Sequence, residues 1–130
     1  MSETTTDVAT TVDAYLAGLT ESDPARRMEL IQQAWTEDAH FVDPLFDVEG
    51  HGGLDELAAG VIAQYPGHTF RRTSGVDAHH NLLRYGFEFV APDGTVVVTG
   101  LDVGIVSADG RLQRMAGFFG DLPTDADAAA

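Results

Sequence analysis

The periodicity of the apolar residues changes once along this chain, near Thr69. Before that point apolar residues recur every three or four positions, which is typical of amphipathic helices. After it they alternate with polar residues, and turn signals at 78–81, 92–94 and 108–110 divide the segment into four strands. Three hairpins in series predict an antiparallel meander that the preceding helices must cover on one face.

Three helices and one short strand precede this meander. The first helix is expected to begin at a cap on Thr6 or Asp7, and its buried face holds Tyr15. The second begins at the cap and proline pair Asp23-Pro24 and is expected to end near residues 37 and 38. The third follows a loop over 47–53 and carries an apolar stripe formed by Leu54, Leu57, Ala58, Val61, Ile62 and Tyr65.

The short strand covers residues 39–43 and ends before Pro44. Phe41 and Asp43 share one face of it, so Asp43 is expected to point inward where the strand ends. The element order is then α-α-β-α-β-β-β-β. This order predicts an α+β fold in which three N-terminal helices pack on a curved, mainly antiparallel sheet.

Length, charge and composition limit the organisation of the chain and its partners. At 130 residues with small polar termini, we expect one domain over 7–122 and disordered tails over 1–6 and 123–130. A formal net charge of -14 disfavours phosphate-rich partners, so neither nucleic acid nor an anionic membrane is expected. The sequence has no Cys and shows no secretion signal or membrane-spanning apolar run, so a cytoplasmic location is expected.

The third strand of the meander is apolar on both faces. Asp102 shares one face with Val96, Val98, Gly100, Gly104 and Val106. An acid on such a face is costly unless it is neutral or hydrogen-bonded, so Asp102 is a candidate functional residue. The helices cannot cover the other face, which predicts a homodimer through an outer apolar surface of Leu101, Val103, Ile105, Leu112 and Phe118.

Four segments resemble, in order and spacing, the signature segments of bacterial ketosteroid isomerases: AYLAGLTESD, AHFVDP, GLDVGIV and GFFGD. By this resemblance the chain is identified as a member of the nuclear-transport-factor-2-like superfamily, with a SnoaL-like or ketosteroid-isomerase-like domain. The resemblance implies a cone-shaped domain around one small apolar pocket, with no cofactor and no metal. In the isomerases a tyrosine and a neutral carboxylic acid donate to the substrate oxygen, and an aspartate before proline moves the proton. These roles map onto Tyr15, Asp102 and Asp43.

The resemblance therefore implies acid–base proton transfer on a small hydrophobic carbonyl compound. Asp43 would abstract the proton, while Tyr15 and protonated Asp102 would stabilise the enolate oxygen. Asp102 is expected to stay protonated because it is buried, whereas Asp43 beside the loop is expected to stay ionised. The expected pocket lining is Trp35, Phe41, Tyr85, Phe87, Phe89, Met115 and Phe119, and its aromatic bulk leads us to expect that a full steroid does not fit.

Other interpretations of the same residues stay open. The superfamily also contains polyketide cyclases, epoxide-hydrolase-like enzymes and proteins that only bind a ligand or act as dimeric scaffolds, and the fold alone does not choose among them. Asp43 before Pro44 is also a turn starter, and Tyr15 on an apolar helix face is also a core tyrosine. Pairing of Arg72 with a pocket carboxylate would favour hydrolase chemistry, although an exposed pair of Arg71 and Arg72 is the simpler expectation.

The histidines are not expected to form a metal site. His79 and His80 are adjacent, so a strand would direct them to opposite faces and a turn would expose both. His51 precedes the third helix, where we expect it to serve the loop. The sequence names neither a substrate nor a pathway.

Overall fold

Two helices open the chain. In the structure, a computed structural model that describes the backbone of residues 2–125 and the side chains of residues 8–125, α1 spans Ser2–Gly18 and α2 spans Pro24–Ala34. The side chain of Asp23 accepts a hydrogen bond from the backbone of Ala25 and caps α2, as predicted. The helix α1 begins ahead of the predicted cap at Thr6 or Asp7, because the preceding SETT residues continue it. The predicted tail over 123–130 lies mostly outside the described residues.

The helix α2 ends earlier than predicted, because the next residues join the sheet. Trp35 has extended backbone angles and begins strand β1, which spans Trp35–Val42. It pairs with Leu112 of the last strand and is buried. The helix predicted to end near residues 37 and 38 would have included Trp35, but this pairing takes Trp35 into the sheet, so that prediction is wrong.

A hairpin and a third helix replace the loop predicted over 47–53. Strand β2 spans Asp47–Glu49 and pairs antiparallel with β1. Helix α3 spans Gly50–Gln64, so it begins inside the predicted loop. Its predicted stripe is confirmed at its centre, where the buried residues are Leu54, Leu57 and Ala58.

Five strands complete the sheet: β3 (Thr69–Arg72), β4 (Asp77–His79), β5 (Leu82–Val90), β6 (Val96–Val106) and β7 (Leu112–Phe119). The sequence predicted β3 and β4 as one strand. Both pair antiparallel with β5, and the chain between them bends where Ser74 Oγ accepts the hydrogen bond of Gly86 N. The strand order is β2-β1-β7-β6-β5-β3, with β1 and β7 parallel and the other pairs antiparallel. The predicted α+β architecture is thus confirmed, with two short strands added.

From Val98 to Val106 the two faces of β6 follow the predicted alternation, which the register shift opposite Val97 interrupts. Asp102 is 3% exposed on the inner face, whereas Leu101 and Val103 are each 37% exposed on the outer face. Leu112 was predicted on the outer face but is 0% exposed within the chain. The register between β6 and β7 shifts between Ile105 and Val106, and this irregularity turns Leu112 inward.

The core lies between the helices and the inner face of the sheet. Residues of α1, α2 and α3 share one apolar cluster with residues of β1, β5 and β7. The helices therefore close the inner face, and polar groups on that face are removed from solvent. Within the described part of the chain, none of the helices has the length and apolarity needed to cross a membrane.

Candidate active site

A row of residues crosses the middle of the sheet on its inner face. Tyr85 of β5 pairs with Asp102 of β6, which pairs with Gly117 of β7. On the next strand, Val42 pairs with Ala116, so Asp43 follows β1 beside Gly117. The parallel pairing of β1 with β7 therefore brings Asp43 into the same row as Asp102, although 58 residues separate them in the sequence.

A cavity of about 110 Å³ opens over this row. Tyr15, Asp43 and Asp102 all line it, so the structure brings the three predicted catalytic residues together. The rest of the lining is mainly aliphatic and aromatic, and includes four of the predicted pocket residues: Phe41, Phe87, Phe89 and Phe119. The cavity lining contains two carboxylates and no Arg, Lys or His side chain.

The other three predicted pocket residues lie behind this lining. Trp35 borders a smaller crevice and packs edge-on against Tyr15, with ring centroids 5.4 Å apart. Met115 is fully buried beside Gly104. Tyr85 is 2% exposed and reaches Asp102 from the side instead of facing the cavity. These residues share the inner face with the lining, but neighbouring side chains cover them, so the prediction that they line the cavity is wrong.

Asp102 is buried, and its side chain has one hydrogen-bond partner among the described residues. The hydroxyl of Tyr85 donates to Asp102 Oδ2 over 2.5 Å. Burial raises the pKa of Asp102 to about 7, and the charge of Asp43 acts in the same direction, while the Tyr85 hydrogen bond opposes both. The side chain therefore exists in substantial part as the neutral acid near pH 7, and a neutral acid can donate a hydrogen bond.

Asp43 has a different environment at the end of β1. Its Oδ1 accepts hydrogen bonds from the backbone of Leu45 and Phe46, each over 2.8 Å. The turn that the Asp-Pro pair suggested is therefore present, and the same side chain also lines the cavity. Asp43 is half-buried at the start of an exposed turn, and the backbone of that turn gives its side chain two donors that Asp102 lacks.

Gly117 provides the space between the two carboxylates. A Cβ at this position would lie 3.0 Å from Asp102 Oδ1 and 3.3 Å from Asp43 Cβ. Any larger residue would push one of the acids away. No local pattern in the sequence points to Gly117, because only the pairing register shows that it lies between Asp43 and Asp102.

Tyr15 reaches the cavity from α1. Its ring packs against Trp35 and Phe41, which fixes its orientation. Burial, followed by the charges of Asp102 and Asp43, raises the pKa of Tyr15 well above its usual value. Among the described residues none hydrogen-bonds to the Tyr15 hydroxyl, so this group is left as a neutral donor for a ligand.

The mouth of the cavity contains apolar residues that the sequence did not single out. Leu45 and Phe46 follow Asp43 in its turn, Tyr65 ends α3, and Val97 lies near the start of β6; all four line the cavity and are exposed. Their signal in the sequence is weak, since single apolar residues in turns are common. Their grouping around one opening is a result of the fold.

The remaining candidate residues lie away from the cavity. Arg72 forms a two-pronged ion pair with Asp13, over 2.7 and 3.1 Å, and Arg71 pairs with Glu88. Arg72 therefore binds neither pocket carboxylate. His51 lies in the first turn of α3, where Nε2 is 3.1 Å from the carbonyl oxygen of Trp35, so its role is structural.

His79 ends β4 and His80 follows it in the turn, and both side chains are exposed. Their Nδ1 atoms are 3.0 Å apart, so they are hydrogen-bonded to each other. The described residues contain no group of His, Asp and Glu side chains that could hold a metal ion.

Comparison with known proteins identifies relatives by structure. Neither a family model nor a curated protein matches the sequence. A ketosteroid-isomerase-like protein from Catenulispora acidiphila, solved in complex with trimethylamine, superimposes with a TM-score of 0.67 at 12% identity, covering 92% of each chain. A polyketide cyclase candidate from Sinorhizobium meliloti gives a TM-score of 0.66 at 14% identity, over 87% of this chain and 97% of that chain. These two relatives show the fold alone.

A third solved structure is much more similar in sequence. It is an isomerase candidate of the SnoaL-like family from Agrobacterium tumefaciens, with a TM-score of 0.82 and 34% sequence identity. The match covers 89% of this chain and 99% of that chain. Identity at this level over a whole domain, together with the shared cone-shaped fold, shows that the chain belongs to the SnoaL-like family of the nuclear-transport-factor-2-like fold.

Proposed function

We propose that the protein catalyses proton transfer on a small hydrophobic carbonyl compound, by general acid–base chemistry and without a cofactor. The observation that carries this proposal is the convergence of Tyr15, Asp43 and Asp102 on one apolar cavity. Two carboxylates in one cavity can divide acid and base roles only if their environments differ. Here one lies on a buried strand face and the other in a hydrogen-bonded turn.

The groups are suited to an enolisation. Asp43 accepts a proton from the carbon next to the carbonyl, and the C–H electron pair becomes a carbon–carbon double bond. The carbonyl π pair moves to oxygen, where the Tyr15 hydroxyl and the neutral Asp102 acid stabilise the negative charge. Return of the proton from Asp43 to the same or a conjugated carbon regenerates the carboxylate and completes the cycle.

The size of the cavity supports a substrate with one ring or a short chain. Its volume of about 110 Å³ is below the roughly 150 Å³ of an enclosed apolar cavity that takes up benzene. This cavity is open at Leu45, Phe46 and Val97, so one ring can extend into the mouth. A four-ring steroid would extend far beyond it. We therefore expect a cyclohexenone-sized compound to be accepted and a steroid to be turned over poorly.

The test is isotope exchange. The purified chain is incubated in D₂O with a small β,γ-unsaturated ketone such as 3-cyclohexenone, and deuterium incorporation and migration of the double bond are followed by proton NMR. We expect exchange well above the buffer rate. Asp43→Asn, which cannot accept the proton, should reduce the exchange rate by about 10³-fold or more.

Asn at position 43 keeps an oxygen that can accept the hydrogen bonds of the turn, so Asp43→Asn is expected to fold. Near-ultraviolet circular dichroism checks that it does. An unchanged exchange rate in the folded variant would rule out Asp43 as the base. Wild-type protein that binds small ketones and never exchanges their protons would rule out the catalytic proposal itself.

A second candidate function is binding without catalysis. Two carboxyl groups and a lining rich in aromatic rings, with no basic side chain among its described residues, would also favour a small organic cation. The ketosteroid-isomerase-like protein from Catenulispora acidiphila was solved with trimethylamine. Isothermal titration with trimethylammonium and with cyclohexanone separates the two functions: a preference for the cation, with no isotope exchange, favours binding alone.

A further inference from the structure

Tyr85 is fixed against Asp102 by the architecture of the sheet. The two residues are direct partners across β5 and β6, and both side chains lie on the inner face. The Tyr85 hydroxyl donates to Asp102 Oδ2 over 2.5 Å, and the two side chains are 2% and 3% exposed. From the sequence, Tyr85 was predicted only as an aromatic residue of the pocket.

The direction of this hydrogen bond determines where a proton on Asp102 can lie. A buried hydroxyl needs an acceptor for its proton, and among the described residues Asp102 Oδ2 is the only side-chain partner of the Tyr85 hydroxyl. A proton on Oδ2 would compete with that donor. The neutral acid is therefore protonated on Oδ1, which is the oxygen that approaches Gly117 beside Asp43.

We propose that Tyr85 is a positioning residue that assigns the Asp102 proton to Oδ1, so that the acid donates into the cavity. Tyr85 does not itself line the cavity, so it acts through Asp102. This role rests on the proposed function, since it matters for catalysis only if Asp102 donates to a substrate oxygen. Donation by Asp102 and burial of Tyr85 would each be possible without the hydrogen bond between them, so the positioning role is an additional one.

Several neighbouring groups affect the protonation of Asp102. Tyr85 faces it from β5, Tyr15 from α1 and Asp43 from the end of β1, while Gly117 of β7 contributes no side chain. Burial and Asp43 raise the pKa of Asp102, and the Tyr85 hydrogen bond is the one contribution that lowers it. Removing the Tyr85 hydroxyl should therefore raise the Asp102 titration midpoint further.

The experiment compares Tyr85→Phe with Tyr65→Phe. Tyr65→Phe removes the same hydroxyl from a residue of the cavity mouth that has no hydrogen bond to Asp102. Carboxyl carbon-13 resonances are followed between pH 4 and pH 9, and Asp102 is assigned from the signal missing in Asp102→Asn. We expect the midpoint to rise by about one pH unit in Tyr85→Phe and to stay unchanged in Tyr65→Phe. An unchanged midpoint in folded Tyr85→Phe would overturn the proposal.

Kinetics supply the second readout. In Tyr85→Phe we expect kcat for isotope exchange to fall about tenfold with little change in KM, because the donor is misdirected while the cavity keeps its size. The basic limb of the pH profile should move upward with the NMR midpoint. A fall in kcat with an unmoved pH profile would show a merely structural role.

Wild-type protein provides a test if Tyr85→Phe does not fold. The ring carbon-13 signal of Tyr85 should move with the same midpoint as Asp102, because the hydroxyl donates to that carboxyl group. Separate midpoints would overturn the proposal. The titrations do not depend on catalysis. A wild-type protein without isotope exchange would therefore rule out the proposed function, while the titration midpoints would still test whether Tyr85 positions the Asp102 proton.

Discussion

The side chains of β6 alternate between two faces of the sheet, and these two faces have different surroundings. On the inner face Asp102 lies under the helices, accepts a hydrogen bond from Tyr85 and is neutral in substantial part near pH 7. On the outer face Leu101 and Val103 remain partly exposed, and Phe118 beside them on β7 is 59% exposed. Closure by the helices, and not the strand sequence alone, makes one face a site for chemistry and leaves the other as an apolar surface.

The largest effect expected on the inner face is a dependence of stability on pH. The folded chain holds the Asp102 proton up to a pKa of about 7, whereas the unfolded chain loses it near the usual 3.8. This contribution is present in full below about pH 4 and is lost as the pH rises through 7, by roughly 4 kcal/mol. Urea unfolding at pH 5 and pH 8 should show roughly 3 kcal/mol of this loss in wild type and none of it in Asp102→Asn, because pH 5 already lies above the unfolded pKa.

Asp102→Asn is the control for general effects of charge on the stability of the wild type. Repulsion within a chain of net charge -14 also grows with pH, but it is nearly the same in wild type and in Asp102→Asn. Only the difference between the two pH dependences belongs to Asp102. Parallel stability curves would show that Asp102 is ionised in the folded protein, and the contrast between the two faces would lose its electrostatic basis.

The second expected effect is on catalysis by Asp102 variants. Asp102→Ala should lower kcat for isotope exchange by about 10²-fold to 10³-fold, because a donor to the developing oxyanion is lost. Asp102→Asn should cost about tenfold or less, since its amide oxygen can accept from Tyr85 while its NH₂ group donates into the cavity. Equal losses in the two variants would contradict a donor role.

Asp102→Ala also leaves the Tyr85 hydroxyl buried without its acceptor, which is expected to reduce stability by about 1–3 kcal/mol. The double variant Asp102→Ala/Tyr85→Phe removes both partners of the hydrogen bond. It should recover most of that stability and none of the activity, which separates a folding defect from a loss of catalysis. Recovery of activity in the double variant would show that Asp102 serves only to satisfy Tyr85.

The sequence predicted much of the inner face because its signals are local. The two-residue period placed Asp102 inward, and the proline after Asp43 marked the end of its strand. Trp35 and Tyr85 were misplaced because their positions depend on pairing across the sheet: Trp35 joins β1 by pairing with Leu112, and Tyr85 meets Asp102 through the β5–β6 register. Local periodicity carries no information about register, and irregularities such as the shift between Phe89 and Val90 add to that uncertainty.

A smaller effect is expected at Gly117. In Gly117→Ala the new methyl group would crowd Asp102 Oδ1 and Asp43, so one carboxylate must move by a few tenths of an ångström. We expect kcat to fall about tenfold, since small displacements of catalytic groups are costly. Gly60→Ala is the matched control: Gly60 has open space around it on α3, and alanine there should raise stability by about 1 kcal/mol.

Loss of activity in Gly117→Ala, without a comparable loss of unfolding free energy, would show that the spacing of the two acids matters. Full activity in that variant would show that catalysis tolerates a change in the separation of the two acids. The division of roles between Asp43 and Asp102 would then not depend on the geometry described here.

The smallest effect on the cavity is expected from the outer face, where we propose that a second copy of the chain binds. The patch formed by Leu101, Val103 and Phe118 is apolar and exposed, and none of its residues lines the cavity. Sedimentation equilibrium at micromolar concentration should give twice the chain mass of 13.9 kDa for wild type and the monomer mass for Leu101→Asp. Gln33→Asp, which places the same charge on the exposed side of α2, should remain dimeric.

The isotope-exchange rate should be unchanged in folded Leu101→Asp, because the charge lies on the opposite side of the sheet from Asp102. A wild-type protein at the monomer mass would show that this face stays open to solvent. A dimeric Leu101→Asp with reduced exchange would instead show that the two faces of β6 are coupled.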